Sequence, residues 1–439
     1  MRTNRSLPPG SFWIAVGVVA VLSLASAPTA FAQLGAIRDA TRRAADEAKK
    51  AEEAKKNAED AKKTTEGLAG GKSQPSATAP AAAPASSTGG PTAGAAGGAP
   101  TFAAYSKFDF VPGDKVVVAD DFTQDAVGDF PAKWNTNASG EIVTVSGTTG
   151  RWLKFTRAGF FVPEYIPELP DNFTFEFDLL VDPQFNGGFA LNTSLVQLSD
   201  LKNPTVWQSS TNVLTFTAHP ASSAGGISAM TTRLDGTSGP ANQLNVPNLL
   251  ATRGTPVHIA VWRQRQRVRV YMNQEKVWDV PRAVAESAKF NSILFFIPGG
   301  CGNCEYYVSN LRVATGAPDT RNKILTEGKW VSHGILFDVN SDRLKGESYG
   351  SLKEISGVLT ENPDLKVQIV GHTDSDGEDA ANLDLSKRRA ASVKTALINE
   401  FKIDAGRLDT DGKGETQPID KNDTPSGKAN NRRVEFIKR

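Results

Sequence analysis

Residues 371–390 read GHTDSDGEDAANLDLSKRRA, five acidic residues followed by three basic ones. Side chains of these types can hold a cation, pair with one another, or grip a ligand that is itself charged. A helix–loop–helix calcium site needs carboxylates at positions one, three and five, glycine at six and a bidentate glutamate at twelve. Counted from Asp374, Asp376 and Glu378 satisfy the early positions. Asp379 stands where glycine must make the turn, and Leu385 where the glutamate belongs. The spacing argues against calcium, and no metal is expected here. His372 and Ser375 flank Asp374, but a catalytic triad needs three side chains that converge in space, not three crowded along one chain end. No catalytic residue and no cofactor is expected.

The elements around these residues decide where they point. LKVQIVG (365–371) alternates as a strand, and DAANLDLSKRRAASVKTALINEF (379–401) has the period of a long helix. Asn382, Leu385, Ser386, Arg389, Ala390, Val393 and Leu397 fall on one face of that helix. Most are apolar or small, as a core face requires, yet Arg389 sits in the middle of them. A guanidinium there must snorkel outward or meet an anion. Arg388 falls off this stripe and reads as solvated. Asp374 ends the preceding strand, so its carboxylate and the Arg389 guanidinium face one cavity. Spacing leaves two readings open. The two residues tie strand to helix as an internal salt bridge, or Asp374 takes a ligand's ammonium and Arg389 its carboxylate. Around them, GILFDVN (334–340) reads as a strand, ESYGSLKEISGVLTENP (347–363) as a helix and NRRVEFIKR (431–439) as a final strand. Strand–helix alternation over about a hundred residues implies an α/β or α+β sandwich.

The pattern GHTD…N..LS..RA..V, carried by Gly371, Thr373, Asp374, Gly377, Asn382, Leu385, Ser386, Arg389 and Ala390, resembles the peptidoglycan-binding C-terminal domain of the OmpA family, shared with Pal lipoproteins and MotB. ILFDVNSDRL (335–344), GKGETQPI (412–419) and NRRVE (431–435) resemble that domain's opening and closing segments. The resemblance covers about a quarter of the chain. It implies non-covalent binding of the diaminopimelate-containing stem peptide, with Asp374 and Arg389 holding the free amino-acid end. Thr373, Asn382, Phe337, Asp338 and Arg433 match positions around that pocket, and Arg433 reads equally as a structural residue of the last strand. The family's best-known members carry a membrane β-barrel or a lipid anchor, and this chain shows neither pattern.

The whole chain divides by composition into five segments. Residues 1–32 read as a signal peptide, with Arg2 and Arg5, an apolar run SFWIAVGVVAVLSLASA too short for the roughly 20 residues of a membrane span, and AFA before Gln33. Residues 33–66 form an Ala/Lys/Glu-rich helix, and 67–103 a flexible Ala/Pro/Gly linker. Residues 104–316 hold short alternating runs bounded by turn residues, the pattern of an antiparallel β-sandwich. DDFTQDAVGDFPAKW (120–134) followed by such strands resembles concanavalin- or laminin-G-like jelly rolls. Residues 317–439 form the OmpA-like domain. In the sandwich, Asp120, Asp121, Asp125 and Asp129 read as turn formers with calcium as the sharper alternative. Glu176 and Asp178 share a strand face, but Leu180 occupies the next position on it, where retaining glycosidases of this class carry a second glutamate. The acid pair needed for glycoside hydrolysis is therefore incomplete. Cys301 and Cys304 read as a local disulfide of an exported protein, a redox pair being the alternative.

With a net charge of +1 the chain has no bulk basic surface, so nucleic acid is not an expected partner. The sequence thus describes an exported, periplasmic or outer-membrane-associated cell-envelope protein that is not an enzyme. Its expected partner is peptidoglycan, with a glycan or envelope protein for the β-sandwich and peripheral association with the outer membrane. The alternative is a carbohydrate-active enzyme or adhesin whose sandwich acts on or binds glycans while anchored to the cell wall.

Overall fold

The computed structural model describes residues 108–439, apart from 186–187, 204, 206, 208–209, 221–225, 235, 240, 247–248, 250–252, 300–304 and 317–318. The expected signal peptide, the 33–66 helix, the 67–103 linker and the Cys301–Cys304 bridge lie outside the described residues.

Strand β2 (Asn172–Val181) shows how the sequence builds the first half. Phe173, Phe175, Phe177 and Leu179 project into one core, while Thr174, Glu176 and Asp178 project to the opposite face. Its antiparallel neighbours are β3 (Val257–Gln264) and β5 (Tyr306–Thr315). Beyond β3 lies β4 (Arg267–Met272), and β1 (Lys115–Asp120) pairs with the far end of β5. These belong to one of two eight-stranded sheets among the described residues. The sheets share a core of aromatic and β-branched side chains drawn from both, including the stacked rings of Phe155 and Phe161, 4.2 Å apart. Each large apolar side chain buried there contributes about 1.5–3 kcal/mol, which makes this core the main source of stability in the first half.

The C-terminal half has a four-stranded sheet in the order β6 (Lys329–Ser332), β9 (Val434–Lys438), β7 (Val367–His372), β8 (Leu408–Gly414). The first two pairings are antiparallel and the last is parallel. Helices α1 (Tyr349–Glu361) and α2 (Asp379–Asn399) contribute Leu352, Ile355, Leu359, Ala390, Val393 and Leu397 to its core. A short helix, α3 (Pro425–Asn431), precedes β9. The expected strand at 334–340 is not one. That segment is a loop whose only ladder contact is the isolated bridge Phe337–Leu344, and the sheet's first strand comes earlier, at β6. Ile335 and Phe337 still turn towards the core, so the two-residue alternation is real but has no strand beside it.

The described residues belong to one compact unit spanning 95–439. The outer face of the first sheet is covered rather than solvated. Phe108 and Phe110 pack edge-on against Tyr271, and Phe110 meets Trp262. Helix α1 lies so close to this segment that a Cβ on Gly350 would fall 1.8 Å from the Phe110 carbonyl oxygen. Asn430 at the end of α3 donates from Nδ2 to the Val116 carbonyl and accepts from the Val116 N–H through Oδ1, both at 2.9 Å and both buried. Arg312 on β5 donates to the His333 carbonyl at 2.8 Å.

Asn430→Ala would leave the Val116 N–H and carbonyl buried without partners, and is expected to lower stability by about 1–3 kcal/mol in denaturant unfolding. Gly350→Val, which must push Phe110 and α1 apart, is expected to lower it further.

Candidate ligand-binding site

A cleft of about 980 Å³ runs between the outer face of the first sheet and the C-terminal half. The C-terminal wall is built by the close seating of α2 on the ends of β7 and β8. A Cβ on Gly371 would lie 2.3 Å from the Ser386 carbonyl, and one on Gly412 2.4 Å from the Lys387 nitrogen. Gly414, at φ +52°, has its N–H bonded to Ser386 Oγ. Glycine at these points lets the helix approach, and the approach fixes where Asn382 and Arg389 emerge.

Asn382 is buried, and its amide donates to Glu415 at 2.6 Å and to the Asp376 carbonyl at 3.1 Å, pinning the loop after β7. Asp374 lies on that loop just behind the cleft wall and pairs with Arg432 at 2.5 Å. Thr373 is buried with its hydroxyl unpartnered. Arg389 is partly buried and reaches the cleft. Its Nε donates to the Ser341 carbonyl at 2.9 Å, and its guanidinium lies 5.0 Å from the centre of the Phe337 ring. Burial and the nearby Arg432 charge lower its pKa. Asp338 is paired with Arg343 and offers its carbonyl towards Arg389 at 3.5 Å. Of these residues Phe337 and Arg389 line the cleft, while Asp374, Thr373, Asp338 and Asn382 lie behind that wall.

Among the described residues Asp374 pairs with Arg432 and not with Arg389, so the internal salt bridge considered from the spacing is not formed. Arg433 borders the cleft, but its guanidinium is engaged by Glu435, the Asn431 carbonyl and the Gln417 carbonyl. Burial would raise the Glu435 pKa; His372, Lys329 and Arg433 overcome it and hold the carboxyl far below its usual range. Arg432 and Glu415 are the residues the sequence reading missed. The doubled arginine at 432–433 was the available signal, with one member facing each way at the start of β9.

The sheet side of the cleft carries a charged cluster. His258 lies 2.8 Å from Asp178 through Nδ1 and 3.3 Å from Glu176 through Nε2. Arg312 reaches Glu176 at 3.3 Å, and Asn310 donates to Asp178 at 2.6 Å. Burial alone would neutralise these groups. Instead the bonds and charges of Asp178 and Glu176 hold His258 up at about 10. Arg312 and His258 together hold Glu176 below the usual carboxylate range, and His258 and Asn310 do so for Asp178. Glu176 and Asp178, expected to be an outward strand face, are outward from the core yet covered by the C-terminal half. Leu180 packs with Trp152 and Tyr307. Of the four aspartates of the 120–129 loop, Asp120 accepts from Phe122, Trp134 and Tyr165, Asp121 from Thr123, and Asp125 from Ala132. These are turn and core bonds.

Residues 336–432 match the profile described as the OmpA family. Outer membrane porin F of Pseudomonas aeruginosa is 36% identical over 141 residues, covering 31% of this chain and 39% of the porin. Outer-membrane lipoprotein YfiB of the same species is 37% identical over 107 residues, 24% of this chain and 63% of the lipoprotein. The chain thus spans less than two thirds of the length of either relative. The solved peptidoglycan-associated lipoprotein from Burkholderia pseudomallei aligns at 22% identity with a TM-score of 0.24, covering 28% of this chain and 98% of that one. The relatives are outer-membrane proteins, consistent with an exported, envelope-associated chain.

The cluster has a pH signature. His258 is protonated up to about pH 10 when folded, but only to about 6.5 when unfolded. Its stabilising contribution is therefore complete below about 6.5 and is lost as pH rises through about 10. The melting temperature is expected to fall across that interval, and to fall less steeply in His258→Gln.

Proposed function

We propose that the C-terminal half binds the diaminopimelate stem peptide of peptidoglycan without covalent chemistry and so tethers the chain to the cell wall. The observation that carries this reading is two guanidiniums, Arg389 and Arg432, at one cleft wall with the Asp374 carboxylate just behind it, Asp374 and Arg389 not being bonded to each other. A ligand ammonium would compete with Arg432 for Asp374. The ligand's carboxylate would meet Arg389, already oriented by Phe337 and the Ser341 carbonyl, and the released Arg432 would be free to join it. Binding then exchanges one ion pair for two, which suits a ligand bearing both charges. Thr373, Asn382 and Asp338 act as the frame, and Arg433 as a support of the last strand. The match of 336–432 to the OmpA family supports the same reading, and the jelly-roll resemblance of 104–316 belongs with it.

The non-catalytic reading of the sandwich is favoured by the state of Glu176 and Asp178. Both are tied to His258, and Glu176 also to Arg312, whereas glycoside hydrolysis needs one carboxyl free to give a proton and another free to attack or to activate water. Release of soluble sugar products from purified sacculi by the chain would overturn it.

Retention on purified sacculi tests the pocket directly. Arg389→Ala and Asp374→Ala are each expected to reduce retention by roughly tenfold or more, the scale of losing a charge-assisted contact. Asp374→Ala also removes the ion pair with Arg432, and Arg389→Ala the bond to the Ser341 carbonyl, so melting is measured alongside and retention is compared at a temperature where each variant stays folded. Retention equal to the wild type would refute the pocket.

A further inference from the structure

The cleft has two walls of different chemistry, and the stem-peptide reading uses only one. The C-terminal wall is ionic: Lys345, Arg389, Lys428 and Arg432 stand among Glu347, Asp376 and Asp423, with Lys428 paired to Asp376 and Arg432 to Asp374. At the centre of the sheet wall, Glu176, Asp178, His258 and Arg312 carry two negative and two positive charges that cancel. What this wall offers a ligand is a dense array of donors and acceptors without net charge: the Asp178 carboxylate and the amides of Asn310 and Asn273. Further along, Asp120 and Asp121 already accept bonds from Trp134, Tyr165 and Thr123.

Two features suggest that the array is built rather than incidental. The register of β5 against β2 breaks between Ser309 and Arg312, and the inserted Asn310 adopts φ +53°. Such a bulge re-aims a side chain out of the sheet, here into the cleft beside Asp178. Asn273 also sits at φ +53°, in the turn after β4, with its side-chain oxygen on the His258 N–H.

We propose that the sheet wall is a second subsite of the same cleft and binds the neutral, N-acetylated sugar of peptidoglycan while the ionic wall binds its charged peptide. This rests on the stem-peptide reading. Sugar hydroxyls and acetamido groups need paired donors and acceptors and gain nothing from net charge, which is what Asp178, Asn310 and Asn273 present. A cleft near 980 Å³ lies at the upper end of the range for small-molecule sites, about 300–1,000 Å³, and is larger than one amino-acid terminus requires. The two walls would then read the alternation of neutral glycan and charged peptide that the polymer itself carries.

The test is calorimetric titration of the full chain with two soluble ligands, the diaminopimelate tripeptide alone and the same tripeptide on its N-acetylated disaccharide. The disaccharide-peptide is expected to bind about tenfold more tightly, the gain from one or two additional hydrogen bonds. Asn310→Gly, which keeps the positive φ and deletes the amide, should remove most of that advantage and leave tripeptide affinity unchanged. Equal affinity of the wild type for both ligands would overturn the second subsite while leaving the peptide site standing. An advantage undiminished in Asn310→Gly would equally remove the sheet wall from the site. Failure of both ligands to bind the wild type would defeat the stem-peptide reading, and this inference with it.

Discussion

The candidate site depends on how closely α2 can lie against the ends of β7 and β8. Where Gly371, Gly412 and Gly414 face Ser386, Lys387 and Leu383, any side chain would collide with helix backbone. Without that approach, Asn382 could not hold the loop that carries Asp374, and Arg389 would open onto solvent instead of onto Phe337. A packing constraint between backbones thus sets the geometry of charged side chains that have no bond to one another. The same constraint gives the first glycine of GHTD a physical reason: it is the point at which strand and helix nearly touch.

Much of this was readable in the sequence because it is periodic. The two-residue alternation of NFTFEFDLLV put its phenylalanines in the core, and the stripe on α2 isolated Arg389 as a charge on an otherwise apolar face. Other features were not readable because they depend on partners far away in the chain. Arg432 and Arg433 look alike in sequence, and only the register of β9 against β7 decides which is buried beside Glu435 and which reaches Asp374. ILFDVN alternates like a strand, yet no strand runs alongside it. Glu176 and Asp178 alternate like a solvated face, and nothing within 172–181 announces that the C-terminal half will cover them.

That covering changes the electrostatics. A carboxylate on an exposed strand is held by water, whereas a buried one needs a bonded counter-charge. His258 and Arg312 supply it, and both come from neighbouring strands of the same sheet. The cluster is therefore complete within the sandwich, while the Arg312 bond to the His333 carbonyl extends it to the other half. His333 itself is held neutral, its pKa lowered to about 4 by burial first and then by the Arg312 charge. A neutral imidazole and an ionised, self-cancelling cluster can face each other across a narrow gap without repulsion, so the two halves can close on one another and still leave a polar cleft between them.

The Asn430 amide has a further consequence. β1 pairs on one side with β5, and on its other side one side-chain amide occupies both the donor and the acceptor of Val116. A carboxamide has the same hydrogen-bonding groups as a peptide unit, so Asn430 occupies the place of a neighbouring strand for one residue. Unpaired strand edges invite pairing between molecules. The C-terminal half thus does for the sandwich what a charged or bulged edge does in other sheets: it denies a second copy a place to dock. A chain emerging from synthesis N-terminus first would carry that edge open until α3 arrived, more than three hundred residues later.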